Sequence, residues 1–237
     1  MKTRIFLFAL FLSGLFLQPF SAQAKKETKQ LATFTAINLL VSATLNLTQG
    51  ENQNIEVIAN PETLEKLIIE VVNEKLIIRL SSTKNFFNNF NPGKIEIFVT
   101  AKHINQLSVS GSGKIIVKDG LNAQTIDMTV SGSGAIKLEK LSANTINTTV
   151  TGSGDIHLSG QSVADKLNAA VTGSGTLKAN AMEARDVKVS ITGSGKCYVN
   201  SNNNITAQTT GSGSIYYSGT ANIDARSTGS GRIIRNE

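Results

Sequence analysis

Five residues stand at intervals of 18 to 21 positions and carry groups that hydrogen bond or bear charge: Lys137, His157, Lys178, Tyr198 and Tyr216. Held in one rigid row, two ammonium groups, an imidazole and two phenols suit the gripping of a repeating polymer or of a protein edge. The same row also reads as an ordinary solvated face carrying long side chains. A second candidate is aromatic. Phe86, Phe87 and Phe90 lie among asparagines between Ser81 and Gly93. Such a cluster suits a contact surface for a partner, or a loop that folds back over an open end and buries its rings.

Other chemistries find less support. Gly111-Ser112-Gly113-Lys114 looks like part of a phosphate loop, but that motif needs a longer glycine-rich stretch feeding a helix. Here the tripeptide leads into strand-like sequence and recurs seven times, followed by Lys114, Ala135, Asp155, Thr176, Lys196, Ser214 and Arg232. Sugar hydrolysis on a β-helix needs clustered acids, and only Asp127 and Asp224 occupy equivalent repeat positions. His103 and His157 fall in different elements, and no Cys/His/Asp spacing suits a metal. The expectation is a protein without catalytic residues or cofactors. Cys197 occupies a column otherwise filled by Ile and Leu, so it reads as a small buried residue rather than a reactive thiol.

The candidate row depends on the repeat that carries it. Gly-Ser-Gly begins at Gly111, Gly132, Gly152, Gly173, Gly193, Gly211 and Gly229, each copy preceded by Ser or Thr. A period of about 20 residues marks a solenoid. The positions six, four and two before each first glycine, and four and six after it, are apolar at 30 of 35 places. The positions five and three before each first glycine, which lie between them, are polar except at Ala170. This alternation is the period of a strand with one buried face. Two glycines per repeat would cost about 1 kcal/mol each inside a helix, whereas glycine suits a sharp corner through its access to positive φ. Each repeat therefore reads as strand, corner, strand and a looser third segment. The fold class is all-β: a parallel β-helix-like solenoid, its coils about 4.8 Å apart.

Residues 1–24 resemble an export signal, with Lys2 and Arg4, an apolar run from Ile5 to Leu17, and Ala22-Gln23-Ala24 before Lys25. That run is shorter than the roughly 20 residues a membrane span requires. The formal net charge of +6 falls by two when Lys2 and Arg4 leave with this segment. The remaining cations are scattered along the sequence, so no nucleic-acid stripe is expected. Residues 25–35 read as a flexible polar start. Residues 36–101 lack the tripeptide and read as a strand-rich segment continuous with the solenoid or capping it. Its expected strands are Thr44–Thr48, Asn54–Ala59, Leu67–Val72, Lys75–Leu80 and Lys94–Thr100. A helical turn is expected at Pro61–Lys66, with a tight hairpin at Asn73-Glu74. Residues 102–237 form the repeat solenoid, whose last two repeats shorten to 18 residues.

The export-like start, the strand-rich segment and the repeated V-[ST]-G-S-G-x-I-x-[LV], seen at Val130–Leu138 and Val150–Leu158, resemble the bacterial "putative auto-transporter adhesin, head GIN domain" family over about residues 31–235. The resemblance implies a β-helix protein of the cell envelope and supplies no catalytic residues. No membrane barrel is expected after the repeats. The functional expectation is an exported binding or adhesion module, periplasmic, outer-membrane-associated or extracellular, whose partner is an envelope glycan or protein. The alternatives are a structural element self-associating through the solenoid ends, and a carbohydrate-active β-helix enzyme.

Overall fold

The computed structural model describes residues 24–81, 90–160 and 162–236. The export segment expected over 1–24 lies outside these, apart from residue 24, as do Phe86 and Phe87. The strands in chain order are β1 (Lys25–Lys29), β2 (Ala36–Leu39), β3 (Thr44–Gln49) and β4 (Asn54–Ala59). After helix α1 (Pro61–Lys66) follow β5 (Leu67–Val72), β6 (Lys75–Leu80), β7 (Glu96–Ala101), β8 (Gln106–Gly111) and β9 (Lys114–Val117). The repeats then supply β10 (Leu121–Gly132), β11 (Ala135–Leu138), β12 (Leu141–Gly152), β13 (Asp155–Leu158), β14 (Val163–Gly173), β15 (Thr176–Gly193), β16 (Lys196–Gly211), β17 (Ser214–Ser218), β18 (Asn222–Gly229) and β19 (Arg232–Arg235).

These strands form a β-solenoid. A first wall, leading into each Gly-Ser-Gly, stacks β8, β10, β12, β14, β15, β16 and β18 in parallel. A second wall, leaving each Gly-Ser-Gly, stacks β9, β11, β13, β15, β16, β17 and β19. The expected aliphatic columns point inward. Ile115, Ile136, Ile156, Leu177, Cys197 and Ile215 are all fully buried and in register. Each such aliphatic side chain contributes about 1.5–3 kcal/mol by burial. Cys197 is free and shielded, and burial pushes its thiol well above the ordinary range.

The two glycines of the corner answer different constraints. The first holds positive φ, for example +107° at Gly152. The second has no room for a side chain: a Cβ on Gly154 would lie 2.4 Å from Val130 Cγ1 and 2.6 Å from the Gly134 carbonyl oxygen. The corners also bond to one another, Ser153 N donating to Gly132 O at 2.9 Å and Asp155 N to Gly134 O at 3.0 Å. This contact explains the valine column. Each valine two places before a corner supports the second glycine of the next coil.

The N-terminal segment is less sequential. The β2–β3 coil pairs with β8 and β9 on one side and with β6 and β7 on the other, all in parallel. Beyond it, β5 runs antiparallel to β6, β4 antiparallel to β7, and β1 antiparallel to β4. The start of the chain therefore departs from expectation: Lys25–Lys29 is an edge strand rather than a frayed tail, and Lys26 reaches Glu56 at 2.7 Å. Lysines on an edge strand discourage pairing with further chains. Helix α1 is capped by Asn60 Oδ1, which accepts from Thr63 N at 2.7 Å. Fully buried Thr63 donates its hydroxyl to Pro92 O. The β5–β6 turn places Asn73 and Glu74 at φ +50° and +58°, the backbone of a tight two-residue hairpin. Among the described residues no helix is long and apolar enough to cross a membrane.

Candidate functional site

On the second wall the residue five places after each first glycine points outward. Ile116, Lys137, His157, Lys178, Tyr198, Tyr216 and Ile234 are successive partners across the stacked strands. The structure thus brings all five residues of the candidate row into one line running along the solenoid axis. Tyr198 and Tyr216 stack with ring centroids 4.7 Å apart and planes 8° from parallel. Their separation is that of neighbouring strands. The ring faces therefore turn toward each other along the axis.

His157 is flanked by Lys178 and Lys137 in its own row and by Asp155 two places earlier. Partial burial, then Lys178 and Lys137, hold its imidazole below the usual histidine value, while Asp155 acts in the opposite direction. The row continues toward the N-terminal end through Asn46 to the exposed Phe98, in register with Ile116.

A second outward row was passed over in the sequence except as evidence against a phosphate loop. Lys114, Ala135, Asp155, Thr176, Lys196, Ser214 and Arg232 are also successive partners. Strand alternation places them beside the first row, two residues away. Lys196 therefore lies two residues before Tyr198 on the same strand, and Arg232 lies diagonal to Tyr216 one strand on. Among the described residues, Lys114, Lys137, Lys178, Lys196 and Arg232 enter no ion pair. In the N-terminal part Lys26, Arg79, Lys94 and Lys102 each hold a carboxylate within 3.1 Å, whereas Lys25 and Lys75 hold none among the described residues.

The first wall spends its polar groups on itself. Asn168 donates to Asn147 Oδ1 at 2.9 Å, and Asn147 to Asp127 Oδ1 at 2.7 Å. Near the third segment, the Asp186 carboxylate accepts from Asn204 and Asn203, which lowers its pKa. These acids are partnered by amides rather than by second acids. Among the described residues no group of three or more His, Cys, Asp or Glu is placed to hold a metal. Of Phe86, Phe87 and Phe90, the described residue is Phe90, whose ring centroid lies 3.8 Å from Lys66 Nζ at the end of α1.

A family model described as "Putative auto-transporter adhesin, head GIN domain" matches residues 33–221. The chain belongs to this family. Several solved structures share the fold of this head GIN domain protein. A putative lipid binding protein from Parabacteroides distasonis is 24% identical, with a TM-score of 0.74, covering 92% of this chain and 98% of its own. A putative adhesin from Bacteroides fragilis is 22% identical, with a TM-score of 0.82 and coverages of 91% and 98%. A putative adhesin from Parabacteroides merdae is 18% identical, with a TM-score of 0.69 and coverages of 92% and 98%. At these identities the likeness is one of fold. No curated protein matches the chain. The names carried by the head GIN family and these neighbours are those of adhesins and a lipid-binding protein rather than of enzymes.

Proposed function

We propose that the protein is an exported, non-catalytic binding or adhesion module of the bacterial cell envelope, and that the second wall is its contact face. The observation that carries this reading is the outward row Lys137, His157, Lys178, Tyr198 and Tyr216, fixed in register by parallel pairing and ending in a stacked tyrosine pair. A rigid array loses little conformational freedom when a ligand binds. The export-like sequence of residues 1–24 and the family's name support the location.

The test is retention on isolated envelope fractions and on a glycan and envelope-protein array, comparing the protein with Tyr198→Ala/Tyr216→Ala. Retention that falls in the variant supports the reading. Equal retention, or none for either protein, overturns it.

A second reading rests on a different observation. Strands β18 and β19 pair on one side only among the described residues, which leaves a parallel edge open to further pairing. Self-association through this end would make the protein a stacking element. A monodisperse monomer in light scattering across a concentration series overturns it.

A further inference from the structure

The second wall shows what kind of ligand would suit it, and this step rests on the contact-face reading above. Its outward positions between Lys114 and Ile234 carry five cations without an ion-pair partner among the described residues. Against these stands one carboxylate, Asp155, beside His157. Cations without a partner among the described residues also occur elsewhere, as at Lys25, Lys75 and Lys166. What distinguishes this face is its balance, because the outward strand positions of the first wall set Asp127 and Asp224 against Lys188 and Arg226. What the face offers is a line. Its groups repeat at the strand spacing, about 4.8 Å, which is roughly the advance per residue of an extended β-linked sugar chain.

We propose that this face binds an extended acidic polysaccharide, a chain of uronate-type sugars lying along the solenoid axis, with Lys137, Lys178, Lys196 and Arg232 pairing its carboxylates and the Tyr198 and Tyr216 hydroxyls donating hydrogen bonds. Alternate cations of the first row, Lys137 and Lys178, stand two strands apart with His157 between them. Around the tyrosines, Lys178 and Lys196 lie on adjacent strands in adjacent rows. Cationic groups on a rigid strip attract a polyanion over several ångströms and form charge-assisted hydrogen bonds on contact.

Two observations argue for an acidic glycan over the nearest competitors. A neutral glycan would need open aromatic faces to lie on, and Tyr198 and Tyr216 cover one face of each other while their outer faces look along the row toward Lys178 and Ile234. A lipid surface would call for large apolar side chains to insert. The exposed large apolar residues among those described are Leu40, Val72, Phe98 and Val163, none of them in the tyrosine region of this wall.

The experiment titrates the protein at low ionic strength with three probes. They are a β-linked oligomannuronate, the neutral oligomannose of the same linkage and length, and phosphatidylglycerol vesicles. The two sugars differ in the carboxylate alone. The expected result is binding of oligomannuronate at least tenfold tighter than of oligomannose, weakened by salt. Lys178→Gln/Lys196→Gln should raise Kd about tenfold, the effect of losing charge-assisted contacts. On saturation the His157 imidazole should titrate at higher pH, because a carboxylate seated between Lys137 and Lys178 favours its charged form.

Equal binding of both sugars, an unchanged Kd in the lysine variant, or vesicle binding that depends on these lysines without oligomannuronate binding would overturn the proposal. The contact-face reading fails separately. If array retention still depends on Tyr198 and Tyr216 while oligomannuronate does not bind, the face stands and only its assigned ligand class falls.

Discussion

Tyr198 and Tyr216, 18 residues apart in sequence, lie directly against each other with ring centroids at 4.7 Å and planes within 8°. The contact exists because Lys196, Cys197 and Tyr198 pair in register with Ser214, Ile215 and Tyr216. Such a ring pair contributes about 0.5–1.5 kcal/mol beyond area burial. Tyr198→Ala and Tyr216→Ala should each destabilise the fold, and their double variant should cost less than the sum by that amount. Urea unfolding of the three variants measures this in a double-mutant cycle. An additive cycle would show that the rings do not support each other.

At the corner, Gly154→Ala should destabilise by about 1–3 kcal/mol, the cost of forcing volume into a packed site, because the new Cβ would meet Val130 and the Gly134 carbonyl. Adding Val130→Ala should recover part of that loss by removing the Cγ1 contact, while the backbone clash remains. Thermal unfolding of the single and double variants tests the pairing of valine with the next coil's glycine.

His157 titrates below its ordinary value of 6.5, first through partial burial, then through Lys178 and Lys137, with Asp155 opposing. With a depressed folded value, the unfolded chain holds the proton to higher pH than the native protein does. The His157 contribution to stability is therefore complete above the ordinary value, is lost as pH falls through it, and levels off below the folded value. Lys178→Gln should raise the imidazole pKa and shrink this loss, and Asp155→Asn should lower it. Ring-proton NMR titration of His157 reads both directions.

Cys197 is fully buried between Leu177 and Ile215, and burial disfavours its thiolate. The native protein should resist a thiol reagent that labels the unfolded chain at once. Cys197→Ser should cost about 1–3 kcal/mol by placing a hydroxyl where the column offers aliphatic neighbours. Rapid labelling of the native protein would mean that the coil opens locally.

Much of the fold was legible in the sequence because its determinants are local and repeated. The stretches Asn54–Ala59, Leu67–Val72, Lys75–Leu80 and Pro61–Lys66 coincide with β4, β5, β6 and α1. Alternation also marked the outward row of Lys137 to Tyr216. What it did not mark is the neighbouring row from Lys114 to Arg232, whose importance lies in the lack of acids opposite its cations. Ion pairing depends on which side chains meet, and spacing along the chain does not report it.

Where the motif repeats, the sequence by itself determined the architecture. Identical corners stack only in register, since Gly154 and its equivalents leave no room for a side chain against the preceding corner, and a period of two fixes which side chains face inward. The tertiary structure alone decided the N-terminal end. There the β2–β3 coil sits between β6–β7 and β8–β9, although it precedes both in the chain, and Lys25–Lys29 joins an antiparallel edge. Without a repeated glycine to mark its partner, an apolar strand of this kind fits beside several others. The choice is made by burial of the whole end of the core.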